Sequence, residues 1–281
     1  MERATAQRIG GHAYRYFATA SRTGRVASRF RDGLNILFED GTAPTLVSIQ
    51  TPKVPLHPWG MEVVALGERI AIDDVVTVSP EALHLASSHV AWRQAVPHDL
   101  RITPYDRAQR RRMLEAIPAL EVCRSEALSD RSDPFQSRID SALAGWRTTG
   151  EVCILPALIG LGSGSTPAGD DVLVGLLAGW TALERAEEHA AGDLAVLRPV
   201  LSEMTFRRRT SAAAAQMLGA ALDGAFPEPL RDLVALLGVE TATDAEIRDV
   251  AASLTGLGAT SGRMMLHGLL AAFGSSSSQT A

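Results

Sequence analysis

Cysteine is scarce in this 281-residue chain: Cys123 and Cys153 are the only two, and they share no metal-type spacing. That excludes a disulfide framework and fits a reducing compartment. Long apolar runs are missing as well. The most apolar stretch, Val172–Ala182, falls well short of the roughly 20 residues needed to cross a bilayer, and the N-terminus shows no signal-peptide core. The expectation is therefore a cytoplasmic protein without a membrane partner. There is no excess of basic charge either, since the formal net charge is −5, so nucleic acid is not an expected partner. The seven histidines form no H-E-x-x-H or similar ligand spacing, although His84 and His89 lie five apart and His267 follows a hydroxyl-rich turn.

What is present divides near residue 105. Before it, short β-rich runs at His12–Ala18, Arg25–Phe30, Leu34–Glu39, Thr45–Gln50, Met61–Leu66 and Asp74–Val78 alternate with Thr23-Gly24, Asp32-Gly33 and Asp40-Gly41 turns. The three prolines of TPKVPLHPWG mark an extended loop. After residue 105 the apolar spacing is helical over Tyr105–Glu126, Pro134–Arg147, Gly169–His189, Asp193–Arg207, Ser211–Leu222, Glu228–Gly238, Asp244–Leu254 and Ser261–Phe273. Asp244 reads as an N-cap, with Gly238 and Gly274 as helix stops. The expected fold class is α+β. An antiparallel β-rich domain (1–105, a small sheet or barrel) precedes a helical domain (106–274) and a disordered tail (275–281).

The segment with most chemical content is Gly160–Asp171, GLGSGSTPAGDD, which follows a short apolar run at Glu151–Leu155 expected to be extended. Gly162, Gly164 and Gly169 let the backbone approach a ligand, Ser163, Ser165 and Thr166 offer hydroxyls, and Pro167 suits a helix start. Free N–H groups there, aided by the helix macrodipole, attract phosphate or carboxylate. Asp170 and Asp171 would repel such an anion unless a divalent cation such as Mg2+, or substrate N–H groups, lay between them; the alternative is that Asp170 caps the helix and Asp171 faces solvent. The segment has no lysine, so it is not a P-loop, and the third dinucleotide glycine is missing. No G-x-S-x-G elbow occurs.

Two further segments repeat the theme. FRRRTS (Phe206–Ser211) places Arg209, Thr210 and Ser211 before an alanine-rich helix, and GLGATSGRMMLHG places Thr260, Ser261, Gly262 and Arg263 at another helix start. The expectation is that the two hydroxyl-rich turns holding Thr166 and Ser261 face one pocket.

Ile159–Gly179 resembles the signature of the AllH family, bacterial proteins associated with oxamate carbamoyltransferase. Gly160, Gly162, Gly164, Thr166, Pro167, Gly169, Asp170, Asp171 and Gly175 carry the likeness, joined by Thr210-Ser211 and by Thr260-Ser261-Gly262 with Leu266 and Gly268. Ser165 departs from the leucine expected there. Ala259 stands where a histidine is expected, and Arg263 or Met264 where an acidic residue is. The resemblance, which takes in most of the chain, implies a transferase of nitrogen metabolism in purine or allantoin breakdown, passing a carbamoyl group between carbamoyl phosphate and oxamate. It also implies other subunits as partners. In that chemistry Gly162–Thr166 and Ser261 would hold phosphate, while Arg209 or Arg263 would hold the acceptor carboxylate. Asp170, Asp171 and Thr166 would act catalytically. Two other readings stay open: a non-catalytic anion-binding or scaffold subunit, and a small-molecule hydrolase with a metal at Asp170 and Asp171.

Overall fold

The computed structural model describes residues 2–39, 41, 44–65, 70–85, 88–129, 134–186, 188–202 and 208–277. It divides into two compact units, residues 1–100 and 101–281.

The first unit is a closed barrel. Its strands are β1 (Glu2–Gly10), β2 (Arg22–Phe30), β3 (Gly33–Phe38), β4 (Thr45–Gln50), β5 (Gly60–Val63), β6 (Val75–Val78), β7 (Ala82–Leu85) and β8 (Ser88–Ala91). Neighbours run β5-β4-β3-β2-β6-β7-β8-β1, and β1 closes the ring on β5; a short β9 (Val96–His98) adds to β1. Closure leaves no open edge among the eight strands, the usual hazard of a small sheet. The expected α+β class holds. The sheet is not wholly antiparallel, because β1–β8, β1–β9 and β4–β5 pair in parallel. The proline-rich loop spans β4 to β5, as a parallel neighbour requires a connection longer than a hairpin.

Two local expectations change here. His12–Ala18 is not a strand but lies in helix α1 (Gly11–Thr19). Ala13 and Phe17, four apart, are both fully buried while Arg15 between them is exposed, which fits one face of a helix and breaks the alternation of a strand. The chain enters α1 through Gly10, where a Cβ would sit 2.4 Å from the His57 carbonyl oxygen. The N–H groups of His12 and Ala13 donate to the Pro58 carbonyl, each at 3.1 Å. Thr23-Gly24 lies inside β2 instead of forming a turn. Leu66 and Asp40 fall outside the described residues.

Phe17 packs against Phe38 and Trp92 with ring centroids 5.9 and 5.6 Å away. All three are fully buried. Phe17→Ala should therefore cost about 3–5 kcal/mol in urea unfolding of the barrel unit. A cost below about 1 kcal/mol would mean that α1 does not contribute to that core.

The second unit is helical: α2 (Arg107–Ser129), α3 (Gln136–Thr149), a 3-10 segment (Val152–Leu158), α4 (Ala168–Leu183), α5 (Glu188–Ser202), α6 (Ala212–Leu222), α7 (Glu228–Leu237), α8 (Asp244–Thr255) and α9 (Ser261–Ser277). Every residue of α4 is buried, so a helix apolar all round serves as the central rod. The expected helix Gly169–His189 ends earlier, at Leu183, and α5 begins at Glu188; residues 203–207 lie outside the described residues. Of the run Glu151–Leu155 expected to be extended, only Glu151 is; Val152–Leu155 lies in the 3-10 segment. The N-cap of α8 is Thr243, one residue before Asp244. It forms a reciprocal box with Glu246, which takes precedence over a lone aspartate cap. Gly274 does not stop α9, which runs to Ser277 and so includes the start of the stretch expected to be a disordered tail; residues 278–281 lie outside the described residues. Among the described residues no helix is long and apolar enough to cross a membrane.

Candidate functional site

The site grows from the way α4 and α9 pack. Gly175 lies so close to α9 that a Cβ would stand 1.9 Å from the Met265 carbonyl oxygen, and one on Gly268 would stand 2.0 Å from that of Val172. A Cβ on Gly179 would meet the Ala272 methyl at 2.5 Å. Contacts advance together along both helices, so the two run parallel and their N-termini emerge side by side. There Thr166 Oγ1 and Ser261 Oγ are 2.9 Å apart. The two hydroxyl-rich turns, 95 residues apart in sequence, meet as their shared chemistry suggests.

A third helix start joins them. Ser211 caps α6 by accepting from the Ala214 N–H at 3.0 Å, and its hydroxyl donates to the Ser165 carbonyl. Thr210 donates to Asp170 Oδ2 at 2.6 Å. The N-terminal ends of α4, α6 and α9 therefore converge on the loop Gly162–Pro167, and their macrodipoles add positive potential there.

Asp170 clamps this junction from below. It is almost fully buried in the first turn of α4 and accepts the Gly160 N–H at 3.1 and 3.2 Å as well as the Thr210 hydroxyl. Burial pushes its pKa up to about 6, against the smaller opposing pull of the Thr210 and Gly160 bonds and of Arg209. Gly160 itself has φ +73°, and a Cβ there would lie 2.0 Å from the Arg209 carbonyl. Gly169 presses on the Leu158 carbonyl, where a Cβ would stand at 2.1 Å, and Gly262 on that of Leu254 at 1.7 Å. Most of the motif glycines thus serve backbone-to-backbone contact. Gly164 differs: it has φ +89° and open space around its Cα.

Asp171 is buried too, and burial raises its pKa well above the usual carboxylate range. The Ser261 hydroxyl bonds its carboxyl, and Oδ2 has no hydrogen-bond partner among the described residues. Neither aspartate faces solvent, and neither caps α4, whose N-cap Pro167 has no side-chain bond.

Above these carboxyls, Ser163, Gly164 and Ser165 are exposed and Thr166 is half-buried. Among the described residues the N–H groups of Gly162, Ser163, Gly164, Ser165 and Thr166 meet no acceptor. Consecutive free amides around glycines with positive φ form the concave nest that binds anions elsewhere. The two arginines expected at the ligand turn elsewhere. Arg209 Nη2 donates to the Pro156 carbonyl at 3.0 Å, and Arg263 donates to the carbonyls of Ala127, at 3.2 Å, and Ala259. Phe206 and Arg207 lie outside the described residues. His267 packs away from this loop, its Nε2 2.9 Å from Asp140 Oδ1.

Asp170 spends both oxygens on Gly160 and Thr210, and no group of three or more His, Cys, Asp or Glu side chains among the described residues is arranged to hold a metal.

Residues 158–273 match the family model described as oxamate carbamoyltransferase subunit AllH. The AllH match agrees with the resemblance carried by GLGSGSTPAGDD. It takes in the loop, Asp170, Asp171, Thr210, Ser211, Thr260 and Ser261, that is, all three converging helix starts. It is confined to the helical unit, so the likeness is narrower than most of the chain. No curated protein and no solved structure matches the chain. The residues missed in the sequence were Gly160, as the donor to Asp170, and the Gly175–Gly268 crossing. Positive φ and a close approach to residues far along the chain leave only an unexplained glycine as their signal.

Proposed function

We propose that the chain is a carbamoyltransferase subunit whose Gly162–Thr166 loop holds an anionic group of the substrate. That group is the phosphate of carbamoyl phosphate or the carboxylate of a small amido acid such as oxamate. One observation carries the reading: five successive main-chain donors, without acceptors among the described residues, sit where three helix N-termini meet. The AllH match supports the reaction class, and the word subunit in its description supports partner chains. A nest of amides that holds phosphate in place also pre-organises donors for the charge that develops in acyl transfer.

Binding without chemistry is the second reading. It is favoured by Arg209, Arg263 and Asp170, whose side chains are all engaged with the protein's own backbone or hydroxyls. In both readings the anion sits on the loop, and carbamoyl transfer by the assembled subunits separates them.

Calorimetric titration with inorganic phosphate, carbamoyl phosphate and oxamate tests the site. The Ser163→Glu variant adds a negative charge at an exposed loop position. It should weaken phosphate binding at least about tenfold, equivalent to about 1.4 kcal/mol, with little change in thermal stability. Unchanged affinity in that variant, or no binding of any of the three anions by the wild type, removes the loop as the site.

A further inference from the structure

We infer that Asp171 is the proton source of this site, delivering its proton through Ser261 and Thr166 to the amide nitrogen that leaves when a ureido C–N bond breaks. The inference rests on the proposed carbamoyl transfer and assigns the part of it that the loop amides cannot perform.

The geometry is a three-member chain. The Asp171 carboxyl bonds the Ser261 hydroxyl, which lies 2.9 Å from the Thr166 hydroxyl at the half-buried edge of the anion loop. An ionised Asp171, only 2% exposed, would leave an unpartnered oxygen next to a second buried carboxyl on Asp170. Uncompensated buried charge of that kind is strongly disfavoured, so the neutral acid is the resting form. The described charged side chains nearby do not reverse this. Asp170 pushes Asp171 further toward the neutral form, Arg209 acts on Asp170, and Arg263 is turned onto two carbonyls.

The chemistry balances. A phosphate oxygen attacks the ureido carbonyl carbon, a C–O bond forms and the C–N bond breaks, its electron pair going to nitrogen. An amide nitrogen is a poor leaving group as an anion, so it needs a proton as it departs. Thr166 gives its hydroxyl proton, Ser261 refills Thr166, and Asp171 refills Ser261. Solvent restores the Asp171 proton afterwards. In the opposite direction Asp171 first gives up its proton to solvent, and the same chain then carries the proton of the attacking amide back to it.

Two measurements test this. Infrared difference spectra of the full chain at pH 7 should show a carboxylic-acid carbonyl band that Asp171→Asn abolishes and Asp170→Asn leaves in place; no band lost in Asp171→Asn overturns the inference. In the complete enzyme, with its partner subunits, Asp171→Asn should lower kcat at least about 100-fold while KM for phosphate moves less than about threefold. Ser261→Ala should do the same, and Ser261→Thr should restore most of the rate. A kcat within about threefold of wild type in Asp171→Asn overturns the relay. Failure of the wild type to bind phosphate sinks the proposed function instead, and the infrared band still reports separately on the Asp171 proton.

Discussion

Adding one methyl group at Gly175 or Gly268 will destabilise the helical unit by about 3 kcal/mol or more, a large share of the roughly 5–15 kcal/mol typical of a folded domain. At each position the new carbon would stand close to a carbonyl oxygen of the facing helix, at 1.9 Å from Met265 and 2.0 Å from Val172. The obstacle is backbone, so no rotamer change relieves it; α4 and α9 must separate. Separation opens a core containing Val172, Leu176, Leu269 and Ala272, and it pulls Thr166 away from Ser261 at the helix ends. Because both glycines form one crossing, Gly175→Ala and Gly268→Ala should be strongly non-additive: once the helices have parted, the second methyl costs little. Gly219 provides the control. It lies within α6, and the space a Cβ would occupy there has no atom within 4 Å, so Gly219→Ala should stabilise by about 0.5–1 kcal/mol. Urea unfolding followed by circular dichroism measures the wild type and all three variants. A Gly175→Ala variant within about 0.5 kcal/mol of wild type would mean the two backbones are not in contact.

These glycines also mark what a reader of the sequence can and cannot see. Each helix start advertises itself locally: Pro167 before α4, Ser211 before α6 and Ser261 opening α9 are residue types that satisfy or tolerate free N–H groups. Their convergence was legible as repeated chemistry, small residues followed by hydroxyls, and Thr166 and Ser261 do touch. The role of Asp170 was not legible, because its partners Gly160 and Thr210 become neighbours only through the fold. An acidic pair in a first helical turn reads as metal ligand, base or cap until the carboxyl oxygens have partners assigned. The barrel was harder to read. Tyr14, Tyr16 and Phe17 look like strand residues by propensity, yet the spacing of Ala13 and Phe17 serves α1. In β1 the buried Ala6 and Ile9 are three apart, on either side of a register irregularity between Ala6 and Arg8, a weak signal for the strand that closes the ring.

Asp170→Asn will change the pH dependence of stability between pH 4 and 7. The carboxyl has a pKa of about 6 in the folded chain against an ordinary value of 3.8, so the folded state binds its proton more tightly than the unfolded state does. Between those two pH values the unfolded chain is the one that has lost the proton, and stability from this group therefore falls as pH rises. The penalty is complete above about pH 6 and is relieved as pH drops toward 4, by on the order of 2–3 kcal/mol. Asparagine has no such titration. At pH 7 it should already cost about 1–3 kcal/mol, since its NH2 group places a donor where the Gly160 N–H and the Thr210 hydroxyl both donate. The gap in favour of wild type should then widen as pH falls from 7 to 4. Burial, the largest influence on Asp171, is common to both proteins, so only the smaller part of its shift that comes from Asp170 enters the difference. Thermal or urea unfolding of the pair at several pH values gives the curve directly. A gap that narrows or stays flat on acidification would mean that Asp170 ionises as freely in the folded chain as in the unfolded one, and the clamp between Gly160 and Thr210 would need another explanation.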